Sequence, residues 1–240
     1  MERKHFLKSL LVGAVSAPAL LSACGKDEVT PDAAGSSTTG GTTGSGGSCS
    51  VAPTETEGPF PTKQPASYVR ADIRDGKAGH LLTAKITITN TNNGCAGLAG
   101  ALVDIWHCDA EGNYSEYGGT GMQSTNYQAV HFLRGRQTTD ASGLVTFTSI
   151  FPGWYSGRAT HIHVHVYSAS GQSLKVTQIA FPEGSGSAVA AVNGYAKGLS
   201  GYTTNATDNV FSDGVSLELA AVTGNTTDGF QLSIALGVPA

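Results

Sequence analysis

The chain has 240 residues, with 14 Lys or Arg, 18 Asp or Glu and a formal net charge of −4. Residues 1–23 carry three of the basic residues and one acidic residue, so 11 basic and 17 acidic residues remain beyond them, a net charge of −6. This acidic remainder contains no basic stripe, and a nucleic-acid-binding function is therefore not expected.

The first 23 residues have the pattern of a bacterial export signal. Arg3, Lys4 and Lys8 form a positive region, and a mostly apolar stretch follows that is too short for a stable transmembrane helix. The small residues before Cys24 resemble the lipobox of bacterial lipoproteins, in which this cysteine is acylated. The sequence thus predicts an exported, membrane-anchored lipoprotein, periplasmic or on the cell surface, and leaves open the Sec route, the twin-arginine route and the membrane face.

Residues 24–48 are predicted to form a disordered tether. From Ala34 to Ser48 the chain contains only Ala, Gly, Ser and Thr, with nothing to bury. The remaining residues, 49–240, have the length of a single domain and are predicted to fold as one. We expect contact with the membrane only through the lipid at Cys24.

Three cysteines remain in a compartment that permits disulfides, namely Cys49, Cys95 and Cys108. Three thiols allow three pairings. The Cys49–Cys95 pairing is favoured because it would pin the first residues of the domain to a turn. Cys108 lies in an apolar stretch and is interpreted as a buried thiol.

Alternating apolar and polar residues with turns between them predict an all-β domain, an antiparallel β-sandwich with long irregular loops. One or two helical turns are expected within Ser187–Ala196. The predicted strands are Leu82–Thr89, Ala101–Cys108, Leu144–Ile150, His161–Val166, Leu174–Phe181, Leu217–Ala221 and Phe230–Leu236.

The segment PGWYSGRATHIH, at 152–163, combines a tyrosine, an arginine and two histidines. On a strand, residues two apart lie on one face at about 6.6–7 Å, so His161 and His163 can reach one metal ion. Phenolate is a hard, anionic oxygen ligand, and tyrosine is known as a ligand of iron. Two tyrosines with two histidines would make a charge-balanced site for Fe(III).

Four segments together resemble the intradiol ring-cleavage dioxygenases: TEGPF at 56–60, DIWHCDAEGNYS at 104–115, FLRGRQTTDASGLVTFTSIFPGWYSGR at 132–158, and HIH at 161–163. The resemblance runs from about Thr56 to Phe181. It implies a non-haem Fe(III) enzyme that uses O₂ to open a catechol between its two hydroxylated carbons. The product would be a cis,cis-muconate-type diacid.

The resemblance also implies residue roles. The metal ligands fall on Tyr114, Tyr155, His161 and His163, with Tyr114 and His161 equatorial and the other two axial. Tyr155 is in addition the phenolate that leaves the metal and acts as a base. Arg158 faces the substrate, and Gln178 matches the glutamine of the family's active site.

The chain departs from the family pattern in the stretch between the arginine and the first histidine, where Ala159 and Thr160 replace the usual proline. The residues before Cys49 cannot supply the helical region that larger members use to dimerise, so no oligomeric state is predicted. Selectivity among catechols is expected to depend on loops at about residues 73–80 and 116–130, and the particular catechol is not determined.

Two other functions remain open. A zinc hydrolase or lyase could use His161, His163 and His165 as a three-histidine site, which would leave both tyrosines without a role. A non-enzymatic surface sandwich that binds a glycan or a partner would also fit a tethered domain rich in Gly and Thr.

Overall fold

The computed structural model describes residues 49–240 of the chain. The predicted signal at 1–23 and tether at 24–48 lie outside the described residues. Within the part described, no helix has the length and apolar character needed to cross a membrane.

The domain is built from nine strands and one short α-helix, α1, at Ala188–Val192. The helix falls within the predicted segment, and the side chain of Ser187 caps its first turn by accepting a hydrogen bond from the Ala190 amide. The strands are β1 (Leu81–Asn90), β2 (Ala96–Gly97), β3 (Leu102–Trp106), β4 (Arg134–Thr138), β5 (Leu144–Ile150), β6 (His161–Tyr167), β7 (Ser173–Ala180), β8 (Ala221–Asn225) and β9 (Gly229–Val238).

The strands form two sheets, which confirms the predicted all-β sandwich. One sheet has the order β4-β3-β6-β7 and is antiparallel throughout. The other has the order β2-β1-β9-β8, with β5 also pairing with β1. This second sheet is mixed, because β1 and β9 run parallel, whereas the sequence predicted only antiparallel pairs.

The core lies between the sheets and follows the period of two that the sequence shows. Leu82, Ala84, Ile86 and Ile88 of β1 share one buried cluster with Ile162, Val164 and Val166 of β6. The alternate residues of β6 are the three histidines. The core packing of β6 therefore fixes which face presents those histidines.

The predicted strand at Leu217–Ala221 is wrong. Leu217 and Leu219 are exposed, whereas Glu218 between them is fully buried. Oε1 of Glu218 accepts a hydrogen bond from Oγ1 of Thr177, and the Glu218 carbonyl accepts one from the Ala180 amide. The segment is a turn that docks against β7 through polar contacts, and the strand begins only at Ala221.

The cysteine predictions are confirmed. Cys49 and Cys95 form a disulfide that joins positions 46 residues apart. Cys108 is a free, buried thiol. The disulfide fastens the first described residue of the domain to the turn after β1.

Candidate active site

Three side chains bring their polar atoms together at one end of the β6 strand. Nε2 of His161 and Nε2 of His163 lie 3.1 Å apart. Oη of Tyr114 lies 3.1 Å from the first and 3.3 Å from the second. All three residues are almost completely buried. The structure thus joins three of the four ligands that the sequence analysis predicted.

The two histidines are presented by β6 and held by their neighbours. Nδ1 of His161 lies 2.6 Å from the carbonyl oxygen of Ala159, which fixes the proton on Nδ1 and leaves a lone pair on Nε2. The ring of His163 stacks on Trp106, with centroids 4.8 Å apart and an angle of 2° between the planes. Trp106 and His163 are also cross-strand partners on β3 and β6.

Tyr114 comes from the long loop between β3 and β4. The side chain of Gln123 bonds both main-chain groups of Tyr114, at 2.6 Å to its amide and 2.8 Å to its carbonyl. Its ring stacks on Phe60, with centroids 4.8 Å apart. Hydrogen bonds and ring packing therefore position this hydroxyl on a loop that has no regular secondary structure.

The chemistry of these three atoms fits a metal ion. Burial lowers the pKa of His161 to about 3, with Arg158 nearby adding to the effect, and burial also lowers the pKa of His163 well below its usual value. Both rings are therefore neutral at neutral pH and can offer lone pairs. Burial raises the pKa of Tyr114 well above its usual value, so a phenolate here requires a cation beside it.

Tyr155 lines the same cavity, but its hydroxyl makes a different contact. Its Oη donates a 3.0 Å hydrogen bond to the carbonyl oxygen of Met122. Its ring stands edge-on to Phe60 and Tyr114, at centroid distances of 5.4 and 6.1 Å. The structure places the ring of the fourth predicted ligand beside the other three and its oxygen at the cavity rim.

Arg158 and Gln178 are joined directly. Nη2 of Arg158 donates a 2.7 Å hydrogen bond to Oε1 of Gln178, and Nη1 lies 3.4 Å from Nε2 of His161. Gln178 is the cross-strand partner of His163. The predicted arginine and glutamine therefore stand next to the histidine pair.

His165 does not join the other two histidines. Its Nδ1 lies 3.0 Å from Oε1 of Glu57, and its Nε2 lies 2.7 Å from Oγ of Ser173. Both ring nitrogens are thus engaged away from the cluster, and the structure offers no support for a three-histidine zinc site.

A cavity of about 150 Å³ opens onto these groups. Its wall comes from the chain at 56–60 and from a turn at 209–210, whereas the sequence analysis expected loops at 73–80 and 116–130. The residues that line it are Thr56, Gly58, Pro59, Phe60, Tyr114, Tyr155, Arg158, His161, His163, Asn209 and Val210. Neither of the expected loops lines the cavity itself. The second supports lining residues from behind, through Tyr117 on Phe60, Met122 on Tyr155 and Gln123 on Tyr114.

Known protein families and structures match the part of the chain that contains the candidate site. A family model described as "Dioxygenase" matches residues 57–218, which include every predicted site residue. A solved intradiol ring-cleavage dioxygenase from Tetranychus urticae superposes with a TM-score of 0.70 at 27% identity, over 80% of this chain and 96% of that one.

The chain belongs to the intradiol ring-cleavage dioxygenase family.

Members of this family are oxidoreductases. Catechol 1,2-dioxygenase 1 of Acinetobacter lwoffii is 30% identical over 95 residues, a match that spans 32% of this chain and only 29% of that protein. The dioxygenase domain of a dioxygenase–carbohydrate-binding fusion from Streptomyces sp. SirexAA-E has the same fold, with a TM-score of 0.56 at 24% identity, over 78% of this chain and 97% of that one.

Two buried residues that support the candidate site, Asp208 and Arg134, were not identified from the sequence. Asp208 is buried, and both of its oxygens lie 2.9 Å from Nε of Arg158. Buried Arg134 donates 3.0 and 2.7 Å hydrogen bonds to the carbonyls of Phe60 and Ser115, which ties one cavity wall to the Tyr114 loop. Arg134 lies within the motif at 132–158 and could have been identified from it. Asp208 lies 50 residues from its partner Arg158, and no motif surrounds it.

Proposed function

We propose that this protein is a non-haem Fe(III)-dependent dioxygenase. It cleaves a catechol-type ring between its two hydroxylated carbons with O₂ and gives a cis,cis-muconate-type diacid. The observation that carries this proposal is the meeting of Tyr114 Oη with the Nε2 atoms of His161 and His163, all within 3.3 Å of one another. Both oxygen atoms of O₂ enter the diacid, so the overall reaction needs no external reductant.

The residues that would hold the iron are Tyr114, Tyr155, His161 and His163. Two phenolates would balance two of the three charges of Fe(III), which suits a pocket whose histidines are neutral. When bound, the iron would act as a Lewis acid that positions both catechol oxygens and makes the ring reactive towards O₂.

Tyr155 is assigned the role of a mobile base. Its oxygen already has an alternative partner in the carbonyl of Met122, at 3.0 Å. Once Tyr155 Oη has taken a proton from a substrate hydroxyl, it can donate that proton in a hydrogen bond to this carbonyl. The contact would hold the protonated side chain at the rim while the substrate occupies the cavity.

Arg158 is assigned the stabilisation of negative charge that develops on the ring. A fixed, preorganised cation in a site that excludes water is most effective for this purpose. Gln178 holds the guanidinium in place through Oε1, and the packed rings of Phe60, Tyr114 and Tyr155 form an apolar side of the cavity.

Purified full-length protein tests the proposal. We expect one iron per chain, a visible tyrosinate–Fe(III) absorption band, and O₂ uptake with catechol in a 1:1 ratio to diacid formed. A colourless protein that contains zinc and does not consume O₂ would refute it, as would a metal-free protein that binds a glycan.

We also propose that the protein is an exported lipoprotein held at the membrane through Cys24. The export-type segment at 1–23 and the cysteine after it support this. Fractionation of cells that express the wild type or Cys24→Ser tests it. The variant should appear as soluble, active enzyme, and a membrane-bound variant would contradict acylation.

A further inference from the structure

A buried carboxylate that the proposed reaction does not use lies directly against Arg158. Asp208 is 2% exposed, and each of its oxygens lies 2.9 Å from Nε of Arg158. It also accepts hydrogen bonds from the amides of Ala159, at 2.8 Å, and Val210, at 2.9 Å. Four contacts therefore fix this carboxylate between the residues just before β6 and the turn that forms part of the cavity wall.

We infer that Asp208 is a positioning residue that orients Arg158 and engages its charge in an ion pair, so that the cavity selects single-ring catechols whose substituents carry no charge. The inference rests on the proposed function and names its substrate class. Three features of the site support it: the fixed guanidinium, the scarcity of charge in the cavity lining, and the small cavity volume.

The guanidinium is held on three sides. Nε is bound by Asp208, Nη2 by Gln178 at 2.7 Å, and Nη1 faces Nε2 of His161 at 3.4 Å. With Nε and Nη2 fixed in this way, the planar group cannot turn about its long axis. Removal of Asp208 would leave the guanidinium with the bond to Gln178 and the longer contact to His161, and with an uncompensated positive charge.

Alanine at position 159 is part of the same arrangement. Because residue 159 is not proline, its amide can donate to Oδ2 of Asp208. Its carbonyl holds Nδ1 of His161 at 2.6 Å. Asp208 is thus linked to the histidine pair as well as to the arginine.

The lining of the cavity is poor in charge. Apart from the residues that would hold the iron, Arg158 is the only charged side chain among the described residues that line the cavity. Its guanidinium is already ion-paired with Asp208. A carboxylate on the substrate ring would lose its hydration without gaining a free cation, which is unfavourable. The other wall residues are apolar or uncharged, with Pro59, Phe60 and Val210 on the apolar side.

The cavity also limits the size of the substrate. Its volume is about 150 Å³, and apolar protein cavities of roughly 150 Å³ accommodate one benzene ring. The amide of Val210 donates to Oδ1 of Asp208, so the same carboxylate fixes the turn that places Asn209 and Val210 on the wall. The geometry favours catechol itself or a catechol with small uncharged groups.

The experiment compares catechol with protocatechuate, which carries a carboxylate on the same ring. Values of kcat and KM are measured for both on the full-length iron-loaded enzyme, and binding of both is measured by anaerobic calorimetry. The variants are Asp208→Asn, Asp208→Glu, which keeps the charge, and Asp213→Asn. Asp213 is an exposed acid on the same segment, so this last variant removes one charge without touching Arg158.

We expect the wild type and Asp213→Asn to prefer catechol in kcat/KM by at least about tenfold, in line with the cost of an unpaired charge. Asp208→Asn should lower kcat for catechol and lower KM for protocatechuate, so that the preference shrinks about tenfold or reverses. Asp208→Glu should keep the preference while losing turnover, because its carboxylate remains but is displaced.

A wild type that prefers protocatechuate would overturn the inference, and so would an Asp208→Asn variant that weakens both substrates equally. If Asp208→Asn does not fold, the wild-type preference and the Asp208→Glu variant still decide the matter. Absence of ring cleavage with either substrate would refute the proposed function, and the calorimetric preference would then decide the selectivity claim by itself.

Discussion

Gln178 links Arg158 to the cavity wall by accepting a 2.7 Å hydrogen bond from Nη2 of Arg158 and donating a 2.8 Å bond to the carbonyl of Thr56. It is completely buried and stands opposite His163 across β6 and β7. The side chain of Gln178 thus connects Arg158 with the cavity wall, and its backbone pairs with the strand that carries His163.

Gln178→Ala should therefore reduce turnover without removing the metal. We expect kcat to fall by about 10- to 100-fold, the usual range for residues that orient a metal site, with iron content unchanged. Steady-state kinetics and metal analysis check this. The matched control is Gln231→Ala, an exposed glutamine on β9 whose loss should change neither quantity. An unaltered kcat in Gln178→Ala would show that Arg158 needs no support from it.

Tyr114→Phe should weaken and shift the visible band, to which Tyr155 would still contribute. Activity should fall by more than about a hundredfold, because the change removes a predicted ligand and not merely its support. Its neighbour Tyr117 provides the control. The Tyr117 hydroxyl bonds the carbonyl of Pro61 at 2.7 Å and lies outside the ligand cluster. Tyr117→Phe should keep the band. Equal colour in both variants, measured by absorption spectroscopy, would argue against Tyr114 as a ligand.

Gly58 lies where a side chain would press on a ligand. Its φ is +66°, and an added Cβ would lie 3.2 Å from Cε1 of His163. Gly58→Ala should cost about 1–2 kcal/mol of stability from backbone strain and, in addition, weaken iron binding. Gly76→Ala tests strain alone, since its φ is +79° with open space around it. Thermal unfolding and iron titration of both variants separate the two effects. A normal iron affinity in Gly58→Ala would mean that His163 has room to move.

The Cys49–Cys95 bridge should contribute strongly to stability. For a loop of 46 residues, chain entropy gives a stabilisation of about 4 kcal/mol. The double variant Cys49→Ser, Cys95→Ser should lose about 2–4 kcal/mol in urea unfolding and no longer respond to reductant. Wild type measured with and without reductant is the control. Unfolding curves that coincide in all samples would show that the disulfide does not contribute to the free energy of unfolding.

Glu55 should make the domain less stable as pH rises. Burial, then Glu218 and Asp213, raise the pKa of Glu55 to about 7. The folded state therefore holds this proton more tightly than the unfolded chain, and stability declines as pH rises from about 4.5 to about 7. Glu55→Gln should be close to wild type at pH 4 and more stable by about 1 kcal/mol at pH 8, after allowance for solvent screening.

The control for this pH dependence is Glu111→Gln, which changes an exposed glutamate elsewhere on the surface. Urea unfolding at a series of pH values measures all three proteins. Parallel pH profiles for the wild type and Glu55→Gln would contradict the assignment.

The alternation of apolar and polar residues predicted those strands whose buried face is apolar. The bounds of β5 were predicted correctly. The face of β6 that carries the histidines was also predicted correctly, because the apolar residues Ile162, Val164 and Val166 must face the core. The strand predicted at Leu217–Ala221 failed because its buried residue is Glu218, held by a hydroxyl and not by apolar packing. The parallel pairing of β1 with β9 depends on long-range topology that alternation does not encode.

At the candidate site, sequence motifs identified the central residues but not the residues that hold them in position. The histidine pair and Tyr114 met as predicted, whereas the Tyr155 hydroxyl turned to the Met122 carbonyl. Asp208 could not be found because no periodicity or motif connects it with Arg158. The cavity wall at 209–210 follows from the same long-range contact, and loop positions of this kind become visible only in three dimensions.

The most direct test of the account is diffraction from crystals of the purified protein, recorded above and below the iron absorption edge. The account predicts one anomalous peak, bonded to Oη of Tyr114, Oη of Tyr155, and Nε2 of His161 and His163. Anomalous density elsewhere, or a zinc edge signal in place of the iron one, would contradict it.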